Sequence, residues 1–97
     1  MCGINGILGS HNKDLLLQMN KSIAHRGPDN SGIFLGKNFS LGHTRLSILD
    51  LSSSSDQPFV SNCGNYVITY NGEIYNFLEI KQKLESLNYT FKSSGDT

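Results

Sequence analysis

Two segments with the periodicity of amphipathic helices stand on either side of a run of short apolar segments. This order limits the fold more than any other feature of the sequence. Asn12 is the predicted N-cap of a first helix from Lys13 to about Ala24, and a second helix is predicted from Phe77 to about Asn88. Strands grouped between two helices favour an antiparallel sheet covered by those helices. The 97 residues therefore predict a single α+β domain.

Turn residues separate the apolar segments that predict the strands. A turn at Lys37–Asn38 joins two of them, and a hairpin turn with Gly64 at positive φ precedes another. Asn76 and Glu79 have the spacing of a capping box at the start of the second helix. The predicted strands are residues 3–9, 33–36, 39–49, 66–70 and 89–93.

Charge and hydropathy exclude several classes of protein. The formal net charge is zero and no basic stripe is present, so nucleic acid is not an expected partner. No run is long enough to span a membrane, and the first thirty residues lack a secretory signal. We therefore expect a cytoplasmic protein whose two cysteines, Cys2 and Cys63, are free thiols.

Cys2 directly follows the initiator methionine. Met1 is removed when the next side chain is small, and its removal would leave a thiol and a free α-amino group on one residue. This is the N-terminal form of an activated nucleophile, because one residue then supplies both nucleophile and base. The alternative is that Cys2 is an ordinary small buried residue.

Several polar residues lie at predicted strand ends and turns. Arg45 lies among apolar residues and needs an anion, which is either a ligand carboxylate or an internal acidic side chain. Asn71 and Gly72 can donate an amide and a main-chain N–H to an oxyanion, although Asn-Gly is also the usual type I′ turn. Glu73 and Asp96 are either acceptors for an ammonium group or solvated loop acids.

Together these groups suit an α-amino acid whose side chain carries a reactive carbonyl, and glutamine fits. The three histidines and two cysteines lack the spacing of a zinc site, so no metal is expected.

Five motifs, in this order and spacing, resemble the N-terminal class II glutamine amidotransferase domain of the glutamine-hydrolysing asparagine synthetases. The resemblance extends over residues 1–97 and implies hydrolysis of glutamine to glutamate and ammonia. The motifs are MCGINGILG, HRGPDNSG, LGHTRLSILDLS followed by QPF, YNGEIYNFLEIKQKL, and F-x-SSGDT.

The resemblance also implies roles for individual residues. Cys2 corresponds to the catalytic nucleophile, and Asn71 and Gly72 correspond to the oxyanion hole. Arg45 corresponds to the residue that binds the glutamine α-carboxylate. The implied substrate-binding residues are Arg45, Leu46, Ser47, Ile48, Leu49, Glu73 and Asp96.

The implied fold is the Ntn-hydrolase α-β-β-α sandwich, of which this chain corresponds to about the N-terminal half. Residues 1–97 would then be a partial amidotransferase domain, without the synthetase domain that accepts the ammonia. ATP and Mg²⁺ are implied only for that absent domain, and no cofactor is expected for the glutaminase half. Half a sandwich exposes an apolar sheet face, which predicts either self-association, with a homo-oligomer as one form of it, or marginal stability.

Two other functions remain open at this point. Related amidotransferases pass the nitrogen to sugars or to other carboxylates, and the sequence that distinguishes them lies outside these residues. A non-catalytic chain that folds or self-associates as a binding module is the second alternative, and an intact Met1 would favour it.

Overall fold

A computed structural model of the chain describes residues 1–10, 12–48 and 51–97. The described residues form an antiparallel sheet with two α-helices, so the predicted α+β class is confirmed. Within them, neither helix has the length and apolar character needed to cross a membrane. In chain order the elements are β1 (Gly3–Leu8), α1 (Lys13–Ser22), β2 (Asn30–Leu35), β3 (Phe39–Arg45), β4 (Phe59–Val60), β5 (Val67–Ile68) and α2 (Phe77–Ser86).

The main sheet is antiparallel, with β3 between β1 and β2. Thr44 of β3 pairs with Gly3 on one side and with Ser31 on the other. Because side chains alternate along a strand, Thr44 and its neighbours in register face α1, and His43 and Arg45 face the opposite side. The helix-facing hydroxyl of Thr44 donates to the carbonyl of Ile23, just beyond α1.

Helix α1 covers one face of this sheet. Its N-cap is Asn12, as predicted, and the Asn12 side chain accepts a hydrogen bond from the Leu15 N–H at 3.1 Å. Leu16 is completely buried between helix and sheet. The helix ends at Ser22 and a 3₁₀ turn, Ala24–Arg26, follows it, so the predicted end near Ala24 is close.

A buried asparagine links α1 to two strands. Asn20 accepts a hydrogen bond from the Asn5 side chain at 2.7 Å and donates to Ser31 Oγ at 3.0 Å and to the Gly32 carbonyl at 2.9 Å. A Cβ at Gly42 would collide with the side-chain oxygens of Asn5 and Asn20, so glycine makes room for this network. The core of this layer is therefore partly polar. Asn20 joins α1 to β1 and β2, while the buried Asn5 Oδ1 has no partner among the described residues.

The third strand is shorter than predicted. β3 ends at Arg45 instead of continuing to Leu49, because the next main-chain N–H groups bond to side chains rather than to a strand. Leu46 N–H donates to the sulfur of Cys2, and Ser47 N–H donates to a carboxylate oxygen of Asp29 at 2.7 Å. Leu49 lies outside the described residues.

A small hairpin lies on the other face of the sheet. β4 and β5 pair around the predicted turn, where Gly64 has a φ of 76°. The predicted strand 66–70 is reduced to Val67–Ile68 because the main-chain groups of Tyr70 bond to the side chains of Gln57 and His43.

Helix α2 lies beside this hairpin. Asn76 is its N-cap, but the Asn76 side chain makes no capping hydrogen bond, so the predicted capping box does not form. The predicted strand at 89–93 is also wrong, since this segment is irregular and Lys92 donates from its side chain to the Val60 carbonyl. A cleft of about 570 Å³ separates α2 from the hairpin.

Candidate active site

One cleft, of about 380 Å³, opens where the N-terminus, the end of β3, the segment after β5 and the C-terminal segment meet. Its volume is within the range of about 300–1,000 Å³ that is typical of small-molecule sites. Seven of the ten site residues predicted from the sequence line it. They are Cys2, Arg45, Ile48, Asn71, Gly72, Glu73 and Asp96.

Cys2 lies one residue before β1 and is half-buried, with a free thiol. Its sulfur contacts the main chain of Leu46, whose N–H donates to Sγ at 3.3 Å and whose carbonyl oxygen lies 3.6 Å from Sγ. The guanidinium Nε of Arg26 donates to the Cys2 carbonyl at 3.1 Å. The N-terminus is therefore held in position, with Met1 also lining the cleft.

Arg45 is the last residue of β3 and is only 7% exposed. Its Nη1 donates to Asp56 Oδ1 at 2.6 Å and to the Ser52 carbonyl at 2.7 Å. The internal ion pair considered as one interpretation of Arg45 is thus present. The side chain also lines the cleft, so an internal partner and a position at the ligand site occur together.

Asn71 and Gly72 follow β5 and do not form a type I′ turn. That turn requires positive φ at both central residues, and neither Asn71 nor Gly72 has it. Gly72 instead lies close beneath the Tyr70 ring, where a Cβ would come within 2.6 Å of the Tyr70 hydroxyl oxygen. The type I′ interpretation of this dipeptide is therefore wrong, and its role as an oxyanion hole stays a prediction.

The two predicted ammonium acceptors differ in their surroundings. Asp96 is half-buried, and its Oδ2 accepts a hydrogen bond from the Ile74 N–H at 2.8 Å, which joins the C-terminal segment to the segment after Gly72. Glu73 is an exposed carboxylate at the same cleft.

The residues after Arg45 divide between two places. Ile48 lines the cleft and is 64% exposed, and Leu46 reaches the site through its main-chain contact with the Cys2 sulfur. Ser47 lies instead in a neighbouring depression with Asp29 and Arg45, where its N–H bonds to Asp29. Leu49, the fourth predicted member of this group, lies outside the described residues.

Sequence reasoning missed Gln57 and Tyr70, which also line the cleft. Both residues lie within motifs named above, Gln57 in QPF and Tyr70 in YNGEIYNFLEIKQKL, but no role was predicted for either, and Tyr70 was assigned to the strand 66–70. The contact between them joins segments that are distant in sequence. The Gln57 side chain accepts from the Tyr70 N–H at 2.6 Å.

His43 lies behind the cleft, on the sheet face that the hairpin covers. It is 1% exposed, and its Nε2 donates to the Tyr70 carbonyl at 3.2 Å. Burial has the largest effect on the pKa of His43 and lowers it. In decreasing order, the hydrogen bond to the Tyr70 carbonyl raises the pKa, the Arg45 charge lowers it and the Asp56 charge raises it, and the net pKa is lowered. The ring is therefore neutral at neutral pH. Among the described residues, no cluster of three His, Cys, Asp or Glu side chains can hold a metal ion.

Comparison with known proteins agrees with this geometry. The family model for a glutamine amidotransferase domain matches residues 1–97. The chain is 39% identical to asparagine synthetase [glutamine-hydrolyzing] 1 of Bacillus subtilis, over 100% of this chain and 16% of that protein. It is 46% identical to the putative asparagine synthetase [glutamine-hydrolyzing] 2 of Methanocaldococcus jannaschii, over 86% of this chain and 20% of that protein.

A probable asparagine synthetase [glutamine-hydrolyzing] of Schizosaccharomyces pombe is 40% identical over 99% of this chain and 18% of its own length. The chain thus spans no more than 20% of the length of these three relatives. The family model covers every residue, and the three relatives each align with most or all of the chain. This chain belongs to the glutamine amidotransferase domain family.

Proposed function

We propose that this chain hydrolyses the side-chain amide of glutamine to glutamate and ammonia, with Cys2 as the nucleophile after removal of Met1. One observation carries the proposal. A single cleft is lined by the Cys2 thiol, the Arg45 side chain, the Asn71–Gly72 pair and the carboxylates of Glu73 and Asp96. These are the groups that glutamine hydrolysis by a cysteine needs, and they come from segments far apart in the chain.

The first chemical step is activation and attack by the thiol. The α-amino group of the processed Cys2, directly or through one water, accepts the thiol proton. The thiolate then forms a bond to the side-chain carbonyl carbon of glutamine, and the carbonyl electrons move to oxygen. The tetrahedral intermediate collapses by breaking the carbon–nitrogen bond, and the Cys2 ammonium returns its proton to the departing ammonia. Water then cleaves the thioester to give glutamate and the free thiol.

The remaining cleft residues have electrostatic roles in this proposal. The Asn71 side-chain amide and the Gly72 N–H donate to the developing oxyanion, an interaction stronger in the transition state than in the ground state. The Arg45 guanidinium binds the α-carboxylate, and Glu73 and Asp96 accept from the α-ammonium.

In this proposal, the α-carbon end of the bound glutamine lies along the segment that follows β3. Leu46, through its main chain, and Ile48 are proposed to form this wall, and the substrate-binding roles that the resemblance implies for Ser47 and Leu49 stay predictions. The Leu46 contact with the Cys2 sulfur supports this assignment, because it brings the start of the wall next to the nucleophile.

The nitrogen acceptor is also part of the proposal. The three relatives are named as glutamine-hydrolysing asparagine synthetases, which favours an asparagine synthetase-type amidation over transfer to a sugar. In this proposal ATP and Mg²⁺ act only in a synthetase domain that receives the ammonia. No cofactor is proposed for glutamine hydrolysis itself.

A glutamate-release assay on the full-length natural protein tests the nucleophile. We expect Cys2→Ala to abolish hydrolysis and Cys63→Ala to leave it unchanged. Cys63 is the matched control because it is exposed, and its hydrogen bond with the Ser61 hydroxyl lowers the pKa of its thiol. Equal losses in the two variants would contradict the assignment of Cys2.

Labelling tests whether the cleft is formed and processed. Intact-mass spectrometry should show that Met1 is absent, and the glutamine analogue 6-diazo-5-oxonorleucine should modify Cys2 and leave Cys63 unmodified. A folded protein that retains Met1 and is not labelled would instead support a non-catalytic binding module.

A further inference from the structure

Tyr70, the residue immediately before Asn71, has both main-chain polar groups bonded to side chains. Its N–H donates to Gln57 Oε1 at 2.6 Å, and its carbonyl accepts from His43 Nε2 at 3.2 Å. Gln57 is 8% exposed and His43 is 1% exposed, so water competes little for either bond. A strand residue would normally bond to a neighbouring strand, and here two side chains from different segments replace that strand.

The direction of each bond follows from its partners. A carbonyl oxygen can only accept, so Nε2 of His43 carries the proton, and Nδ1, which has no partner among the described residues, carries the lone pair. The Gln57 amide is oriented from its other end, where Nε2 donates to Thr97 Oγ1 at 3.2 Å. Both side chains are thus oriented by bonds of fixed polarity.

Gln57 and His43 are both anchored to the main sheet. His43 belongs to the central strand β3, opposite Gly32 of β2. A Cβ at Gly32 would collide with the main-chain oxygen of Gln57, so the Gln57 backbone lies directly against β2. The Tyr70 main chain is therefore held to the sheet at two points, through His43 and Gln57, although Tyr70 itself is outside any strand.

We infer that His43 and Gln57 are positioning residues for the oxyanion site. By fixing the Tyr70 main chain, they hold the Asn71 side-chain amide and the Gly72 N–H in the orientation that the transition state needs before glutamine arrives. This inference rests on the proposed function. Donors that are already in place cost no reorganisation during the reaction, and a displacement of about 1 Å costs on the order of 100-fold in rate.

The test compares variants that remove each bond with variants that keep it. Gln57→Leu removes the acceptor and Gln57→Glu keeps an oxygen there. His43→Phe removes the donor and His43→Gln keeps an N–H near Nε2. Thr69→Val is the control, because Thr69 also bonds the segment before Asn71 to the sheet, through the Gly42 carbonyl, without contacting the cleft.

In the full-length natural protein, we expect Gln57→Leu and His43→Phe to lower kcat for glutamine hydrolysis by roughly 10- to 100-fold. KM should change by less than about 3-fold, because the oxyanion forms only after binding. Gln57→Glu and His43→Gln should recover most of kcat, and Thr69→Val should retain it. Titration of Cys2 with 6-diazo-5-oxonorleucine corrects each rate for the fraction of folded sites.

The outcomes distinguish the positioning role of His43 and Gln57 from the proposed glutamine hydrolysis. If wild-type protein hydrolyses glutamine and the bond-removing variants keep their kcat per labelled site, the positioning role is wrong and the proposed function stands. Equal kcat losses in Thr69→Val would also overturn the positioning role, because they would show a general structural effect. A processed wild-type protein that neither hydrolyses glutamine nor reacts at Cys2 overturns both.

Discussion

The two sides of the candidate active-site cleft are built differently. Residues 1–48 contain strands of six and seven residues, a buried hydrogen-bond network at Asn20 and the fully buried Leu16. Residues 51–97 contain strands of two residues and a helix, α2, without a buried side chain. The proposed nucleophile, Cys2, and Arg45 belong to the first region, and the proposed oxyanion donors, Asn71 and Gly72, belong to the second. A rigid layer thus carries two groups, and a loosely packed layer depends on a few bonds to that layer.

The largest expected effect comes from a test of this packing difference, in which one leucine is replaced in each helix. Leu16→Ala removes a side chain that is completely enclosed between α1 and the sheet, so the free energy of unfolding should fall by about 3 kcal/mol. Leu84→Ala removes a partly exposed side chain on α2 and should cost about 1 kcal/mol. Urea unfolding of both variants measures the two values. Equal costs would mean that the two regions are packed to the same degree.

The second prediction concerns Arg45, the residue of the first region that is proposed to bind the glutamine α-carboxylate. Arg45→Ala should raise KM for glutamine by roughly 10- to 100-fold, because a charge-assisted pair with the α-carboxylate contributes about 1.5–3 kcal/mol. Asp56→Asn is the matched control, since it weakens the ion pair at 2.6 Å and keeps the guanidinium. We expect it to change KM by less than about 5-fold.

Initial rates over a range of glutamine concentrations give both KM values. If Asp56→Asn weakens binding as much as Arg45→Ala does, Arg45 acts mainly as a structural ion pair. An unchanged KM in Arg45→Ala would remove it from the substrate site.

The sequence predicted the secondary structure of the first region better than that of the second. Periodicity and capping located α1, with Asn12 as its cap, because those signals are local and the helix packs where they indicate. In the second region the predicted capping box at Asn76 and the strand at 89–93 both failed. Local propensity there is overridden by side-chain bonds to other segments, such as that from Lys92 to the Val60 carbonyl.

The site shows the same division. Residue chemistry pointed to six of the seven predicted residues that line one cleft, and the family resemblance added the seventh, Ile48. Gln57 and His43 lie within the family motifs, but neither has a chemical signature that points to this site. Their roles come from the direction in which Tyr70 leaves β5, and the end of β3 at Arg45 likewise depends on bonds from Leu46 and Ser47 to distant side chains. Such long-range bonds cannot be inferred from spacing along the chain.

The smallest predicted effect is a pH dependence of stability caused by His43, which lies where the two regions join. Burial, and then the charge of Arg45, lower the pKa of His43 below its ordinary value of 6.5, while the Tyr70 carbonyl and Asp56 act in the raising direction. The unfolded chain therefore binds a proton at about pH 6.5 and the folded chain binds it only at lower pH. Stability is fully present above pH 6.5 and is lost as the pH falls toward the folded-state pKa, by up to about 1.4 kcal/mol per pH unit.

Urea unfolding of wild type and His43→Gln at a series of pH values isolates this effect, because the other titrating groups are common to both proteins. The difference between the two curves should be flat above pH 6.5 and should change below it as only wild type loses stability. A second proton on His43 would place an N–H at the buried Nδ1, which has no acceptor among the described residues, beside the charge of Arg45. A difference curve without slope below pH 6.5 would mean that the folded chain accepts this proton as readily as the unfolded chain. The junction between the rigid layer and the Tyr70 segment would then be open to water, and the two regions would differ less than their packing indicates.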